Sequence, residues 1–118
     1  LDLPATLLDL AGIPVPAHYQ GGSLVPMVKG STEALRDSFF CEHRMNNKRI
    51  AKWQGIRGTR YTYANYYEAD SEFLHDLDKD PDQLINQASN PEYQSILKKM
   101  RKDTQSRQMR YQRSTVEK

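Results

Sequence analysis

Three patterns of apolar and polar positions follow one another along the chain. The first is helical: Leu3, Leu7, Leu10 and Ala11 recur at helical spacing. Pro4 suits a first turn, Gly12 suits the end, and Pro14 prevents resumption. A shorter helical turn follows, with Ser23 placed as an N-cap, Val25 and Val28 facing inward, and Gly30 closing it. From about residue 37 the period changes to two. Ser38–His43, Gln54–Arg60, Tyr61–Tyr67 and Glu72–Leu77 are rich in aromatic residues and read as four antiparallel strands. Their connections are short, so neighbours pair as a meander. The third pattern is helical again. Asp80-Pro81 is a turn, Asp82–Asn86 reads as one helical turn, and Asn90-Pro91-Glu92 opens a long helix with Asn90 as its cap. Tyr93, Ile96, Leu97 and Met100 form one apolar stripe that covers the sheet. Beyond Asp103 the stripe fades.

The predicted architecture is therefore α+β: a four-stranded antiparallel sheet packed by a long C-terminal helix, preceded by helical segments. Residues 36–104 form this unit, residues 1–35 the helical segments, and residues 105–118 a frayed or disordered basic tail. A mean hydropathy of -0.83 leaves only a modest core. The stripe of the first helix has nothing yet to bury it, so the chain reads as the tail of a larger protein. A single cysteine, Cys41, rules out an internal disulfide and a zinc framework of paired cysteines. No run reaches membrane-spanning length. The net charge of +2 does not by itself imply a polyanion partner. Its distribution is uneven: residues 68–82 are acid-rich, while Lys98, Lys99, Arg101, Lys102, Arg107, Arg110 and Arg113 make the last stretch basic. The simplest reading of both is a solvated face.

Four words in this order resemble the C-terminal end of the sulfatases, the alkaline-phosphatase-like hydrolases of sulfate esters. Residues 2–13, DLPATLLDLAGI, are similar to the family's D-L-x-P-T-L-L-D-L-A-G-I helix, with the proline one place early. Residues 22–30, GSLVPMVKG, resemble its G-x-S-L-x-P-L-L-x-G segment. Residues 55–63, GIRGTRYTY, resemble its G-V-R-T-x-R-Y-K-Y strand pair. Residues 73–86, FLHDLDKDPDQLIN, resemble its E-L-Y-D-L-x-x-D-P-x-E-x-x-N signature, with His75 in place of the usual tyrosine.

The resemblance implies that residues 1–35 close the catalytic domain of an exported, periplasmic or extracellular sulfatase acting on sulfated carbohydrate. It implies a formylglycine and calcium in the parent, and none in this piece. Formylglycine arises from Cys or Ser in C-x-P-x-R, whereas Cys41 is followed by Glu42-His43, so Cys41 is not the precursor. No catalytic or metal residue is carried over. The expected partners are the parent's own catalytic domain, a sulfated sugar reached through the parent, and a possible second copy, with no nucleic acid.

The substrate-cleft candidates are Glu42 and His43 at a strand end, and Lys52 and Trp53 before the next strand. Trp53 suits a sugar ring, and Lys52 or His43 a sulfate or carboxylate. The competing reading makes Trp53 a packing anchor and His43 a hydrogen-bonded structural residue. His75 reads as packing. Arg57 and Arg60 are expected on opposite faces, one meeting solvent and one a carboxylate of the parent. The alternatives for the whole chain are a structural or oligomerisation module of a phosphatase or phosphonate hydrolase relative, and a polyanion-binding module. The latter fits poorly, because Tyr61, Tyr63, Tyr66 and Tyr67 fall on both sheet faces.

Overall fold

The computed structural model describes residues 1–116. Two compact units divide at Asp37/Ser38.

The first unit holds α1 (Asp2–Leu10) and α2 (Val25–Val28). Both end in the same way. Gly12 and Gly30 take positive φ values of 70° and 95°. After α1, Gly12 N donates to Asp9 O and Ile13 N to Leu8 O; after α2, Gly30 N donates to Met27 O and Ser31 N to Pro26 O. These paired bonds satisfy carbonyls that a helix end leaves open, and they require the left-handed residue that glycine supplies. The expected cap of α2 is displaced: the N-cap position is Leu24, and Ser23 Oγ accepts from Val25 N at 3.1 Å. The side of α1 used within this unit is its polar side. Thr6 Oγ1 accepts from Leu24 N at 3.0 Å, Asp2 accepts from Gly22 N and pairs with Arg36, and Ser23 donates to Asp9. The guanidinium of Arg36 holds the Asp2 carboxyl below its ordinary range. Ala5 is buried, whereas Leu3, Leu7 and Leu10 are each about two-thirds exposed.

The second unit is the expected sheet and helix. Strands β1 (Ser38–His43), β2 (Trp53–Gly58), β3 (Tyr61–Tyr66) and β4 (Ser71–Asp76) pair antiparallel in the order β1-β2-β3-β4. The register sets Phe40, Ile56, Tyr63 and Leu74 in one row across the sheet. Against this row lies α3 (Gln94–Val116), entered through a 3-10 turn, Pro91–Tyr93. Asn90 caps that turn by accepting from Glu92 N. Ile56, Tyr63 and Leu74 from the sheet join Tyr93, Leu97 and Met100 in the core, with Ile96 partly buried beside them. Full burial of Leu74 or Leu97 is worth about 1.5–3 kcal/mol each.

Two local expectations are corrected. Asp82–Asn86 is not a helical turn: Gln83 has φ 58°, Gln83 N donates to Asp80 O, and Ile85 N donates to Asp80 Oδ2 at 2.8 Å. Asn86 then stitches the segment to β4, its Oδ1 accepting from Leu74 N and its Nδ2 donating to Glu72 O. Tertiary bonds to the strand outcompete local coiling. The helix also continues well past Asp103, to Val116, where fraying or disorder was expected from residue 105. Arg107 donates to the carbonyl and the hydroxyl of Ser38, and Tyr111 lies 5.5 Å from Phe40, ring to ring. Good helix formers between these anchors sustain the helix. Glu117 and Lys118 lie outside the described residues.

Gly55 is required by a close approach. A Cβ there would fall 2.0 Å from the Tyr63 carbonyl oxygen and 2.9 Å from Ala64 Cα.

Candidate functional site

Side chains alternate across the sheet. The face opposite α3 therefore carries Phe39, Cys41 and His43 from β1, Trp53 and Arg57 from β2, Thr62, Ala64 and Tyr66 from β3, and Phe73 and His75 from β4. Of the four candidates, the structure brings His43 and Trp53 together, as register partners on this face. It separates Glu42 from them. Glu42 is the register partner of Gln54 on the α3 side, is exposed, and lies 3.8 Å from Arg44 Nε. Lys52 is engaged with Glu68: its Nζ lies 2.9 Å from Oε1, and its backbone N–H donates to Oε2 at 3.0 Å. That backbone bond and the ammonium lower the Glu68 carboxyl below its ordinary range.

Trp53 begins an aromatic row. Its ring lies 6.1 Å from Tyr66, Tyr66 meets Phe73 edge-on at 5.5 Å, and Phe73 stacks on His75 at 6.4 Å. These separations are those of favourable aromatic pairs. Tyr66, Phe73 and His75 also line a depression of about 360 Å³ with Thr62, Ala64 and Gln83. The sequence reading singled out Trp53 but missed Tyr66 and Phe73 beside it. The signal was the strand register, which a single sequence leaves open.

His43 Nε2 is buried and has no hydrogen-bond partner among the described residues. A buried polar atom left in this way costs about 1–3 kcal/mol. His75, by contrast, has its partner: Nδ1 lies 3.0 Å from the Ile85 carbonyl oxygen, which only accepts, so Nδ1 carries the proton. With Asp80 4.0 Å away, His75 serves to hold the turn after β4.

Asp76 is the other dense polar centre, and it is structural. Only 1% of it is exposed. Arg60 Nε and Nη2 donate to its two carboxylate oxygens, Tyr93 Oη donates at 3.1 Å, and Asp78 N at 3.3 Å. The Arg60 guanidinium, ahead of these others, holds the Asp76 carboxyl down at about 2. Arg60 is thus the arginine of the two that meets a carboxylate, and that carboxylate lies on this chain. Across the sheet, Glu72 accepts from Arg101 at 2.8 and 2.9 Å and from Tyr63 Oη at 3.0 Å. Burial, with Glu72 adding to it, pushes the Tyr63 phenol up to about 12.

Among the described residues, no group of three or more His, Cys, Asp or Glu side chains is placed to hold a metal ion. Cys41 is partly buried, and burial raises its thiol above its ordinary range. That is the opposite of an activated nucleophile. No helix among the described residues is long and apolar enough to cross a membrane.

Comparisons with known proteins bear on the family and the fold. The chain is 38% identical over 99 residues to a Delta 4,5-hexuronate-2-O-sulfatase of Bacteroides thetaiotaomicron, covering 82% of this chain and 21% of that protein. It is 40% identical over 96 residues to a choline-sulfatase of Rhizobium meliloti, covering 77% of this chain and 18% of that protein. The chain thus spans about a fifth of the length of these curated relatives. A crystal structure of a putative sulfatase from Bacteroides thetaiotaomicron superposes with a TM-score of 0.84 at 36% identity, over 93% of this chain and 24% of that one. A phosphonate monoester hydrolase of Agrobacterium radiobacter superposes with a TM-score of 0.73 at 27% identity, over 92% of this chain and 24% of that one. The family model for the C-terminal region of N-sulphoglucosamine sulphohydrolase matches residues 1–110. With that match over nearly its whole length, and with the sheet and helix in place, the chain belongs to the sulfatase C-terminal family.

Proposed function

We propose that this chain is the C-terminal part of a sulfatase that hydrolyses sulfate esters of sulfated carbohydrate, and that it lines one wall of the substrate cleft. The observation that supports the cleft role is the pairing of His43 and Trp53 on the sheet face free of α3, with His43 Nε2 lacking a partner. An imidazole at a strand end beside an indole suits a sugar: the ring stacks on Trp53, and His43 takes a hydroxyl, sulfate or carboxylate oxygen. Glu42 and Lys52 enter this reading only as rim residues, since each already faces an opposite charge.

Catalysis lies elsewhere in the parent. The residues here fit neither a formylglycine nor a calcium site: Cys41 lacks the proline two places on, and no carboxylate cluster converges among the described residues. Both groups are assigned to the rest of the parent, where formylglycine would supply the nucleophile and calcium would steady the sulfate oxygens. The parent's own catalytic domain is the partner that the leucines of α1 await, and a periplasmic or extracellular setting goes with such a substrate. A second reading keeps the fold and changes the ester. It is favoured by the superposition on a phosphonate monoester hydrolase, and it makes this chain a structural module.

The test is made on the full-length gene product. Peptide mapping looks for a formylglycine in C-x-P-x-R or S-x-P-x-R, and hydrolysis is followed on sulfated sugars, an aryl sulfate and a phosphonate ester. Turnover of sulfated sugars, with KM raised by His43→Ala and Trp53→Ala, is the expected result. Phosphonate turnover without sulfate turnover would replace this reading with the second.

A further inference from the structure

Four of the basic residues of α3 share one side of the helix, while Arg101 and Arg107 turn to Glu72 and Ser38. At about 100° per residue, Lys98, Lys99, Lys102 and Arg110 fall within about one third of the circumference. All four are exposed. The opposite side carries Leu97, Met100 and Thr104, which are buried. The stripe extends for about 18 Å, twelve residues at 1.5 Å each. Between Gln94 and Gln112 the only acid is Asp103, and it is taken up by Lys99 at 2.6 Å. The other strong acid nearby, Glu72, is taken up by Arg101, which lies outside the stripe. Lys98, Lys102 and Arg110 are therefore left without a neutralising carboxylate within the pairs described.

We propose that this stripe is a docking surface for a sulfated polysaccharide strand, separate from the sheet face that carries His43 and Trp53. The inference rests on the proposed sulfated-carbohydrate substrate for its choice of polyanion. Charge complementarity supports it: cations along one side of a helix match a linear polymer whose sulfates repeat along its length. Two other polyanions fit less well. A single-stranded nucleic acid needs aromatic platforms, and the stripe has none, since Tyr111 packs on Phe40. A membrane surface would take up the apolar side of the helix, which the sheet already covers. A polymer held here would raise the local concentration of chain ends or internal sites near the parent's cleft.

The experiment uses the full-length protein and the triple variant Lys98→Gln, Lys102→Gln, Arg110→Gln, all exposed positions. Binding to dextran sulfate, unsulfated dextran and a DNA duplex is measured against salt, and turnover is measured on a small sulfate ester and on a sulfated polymer. The expected result is salt-sensitive binding to dextran sulfate and none to dextran, with affinity about tenfold lower in the variant and a shallower salt slope. Turnover of the small ester stays unchanged while KM for the polymer rises. Unchanged binding by the variant, or no binding by the natural protein, overturns the proposal. Equal affinity for DNA overturns the choice of glycan. A full-length protein that binds dextran sulfate through the stripe yet cleaves no sulfate ester would sink the proposed function and leave the stripe standing.

Discussion

Arg60 Nε and Nη2 reach Asp76 Oδ1 and Oδ2 at 3.0 and 2.9 Å, a bidentate pair that locks the β2–β3 corner onto the end of β4. The same carboxylate receives Tyr93 from the turn that opens α3. One buried aspartate therefore joins three elements far apart in sequence. Asp76→Asn keeps the shape but removes the charge that Arg60 and Tyr93 were placed to meet. Its expected cost is about 2–4 kcal/mol, read from denaturant unfolding of the full-length protein. Tyr93→Phe, which loses one hydrogen bond, costs about 1–2 kcal/mol. Equal stability of Asp76→Asn and the natural protein would refute this role.

That pair also sets an acid limit. The Asp76 carboxyl is held at about 2, below the ordinary 3.8, so between these values the unfolded chain binds the proton and the folded chain does not. Its contribution is complete above about pH 4 and is lost as pH falls towards 2. Glu72, lowered by Arg101, and Asp80, lowered by the Ile85 and Leu84 backbone N–H groups, act in the same direction. Stability followed from pH 6 to 2 should fall, and the fall should be smaller in Asp76→Asn.

Gly55→Ala tests the close approach of β2 to β3. With the Tyr63 carbonyl 2.0 Å from the new methyl, the strands must part. Hydrogen-exchange protection of the Ile56–Tyr63 region is expected to drop sharply, while the unit of α1 and α2 keeps its protection. Retained protection across β2 and β3 would show that the strand pair can absorb the methyl.

Asn86→Ala removes two bonds to β4, from Leu74 N and to Glu72 O, and one within the turn, from Ala88 N. The loss should be about 1–3 kcal/mol. Asn86→Asp keeps the acceptor and loses the donor, so it should fall between the natural protein and Asn86→Ala in thermal unfolding.

Leu3, Leu7 and Leu10 stand 69%, 65% and 67% exposed on one side of α1. Residues 1–118 made alone should therefore self-associate and bind dyes for apolar surface. Replacing the three leucines with glutamine should reduce both effects. A monodisperse monomer with low dye binding would contradict the reading of this side as one that awaits the parent.

What was legible in the sequence follows from local physics. The change of period from helical to two and back fixed the order of elements, and with it the sheet and the covering helix. The glycines at 12 and 30 marked helix ends because no other residue adopts a positive φ as cheaply. Asn90-Pro91-Glu92 marked the start of the last helix. Because one family's words stood in order, the family itself was also legible.

Only the tertiary structure decided the rest, because it depends on contacts between residues distant in the chain. Asp82–Asn86 has the composition of a helical turn, yet Asn86 spends its amide on β4. The stretch after Asp103 lacks an apolar stripe, yet Arg107 and Tyr111 anchor it to β1. Glu42 and His43 are neighbours in sequence, and strand alternation puts them on opposite faces. Trp53, Tyr66 and Phe73 are far apart in sequence, and the register lines them up. Which of Arg57 and Arg60 meets a carboxylate is open in the sequence until the fold brings Asp76 to Arg60. Periodicity names which side of an element is buried; the pairing of sides, and so the candidate site, is set by how the elements meet.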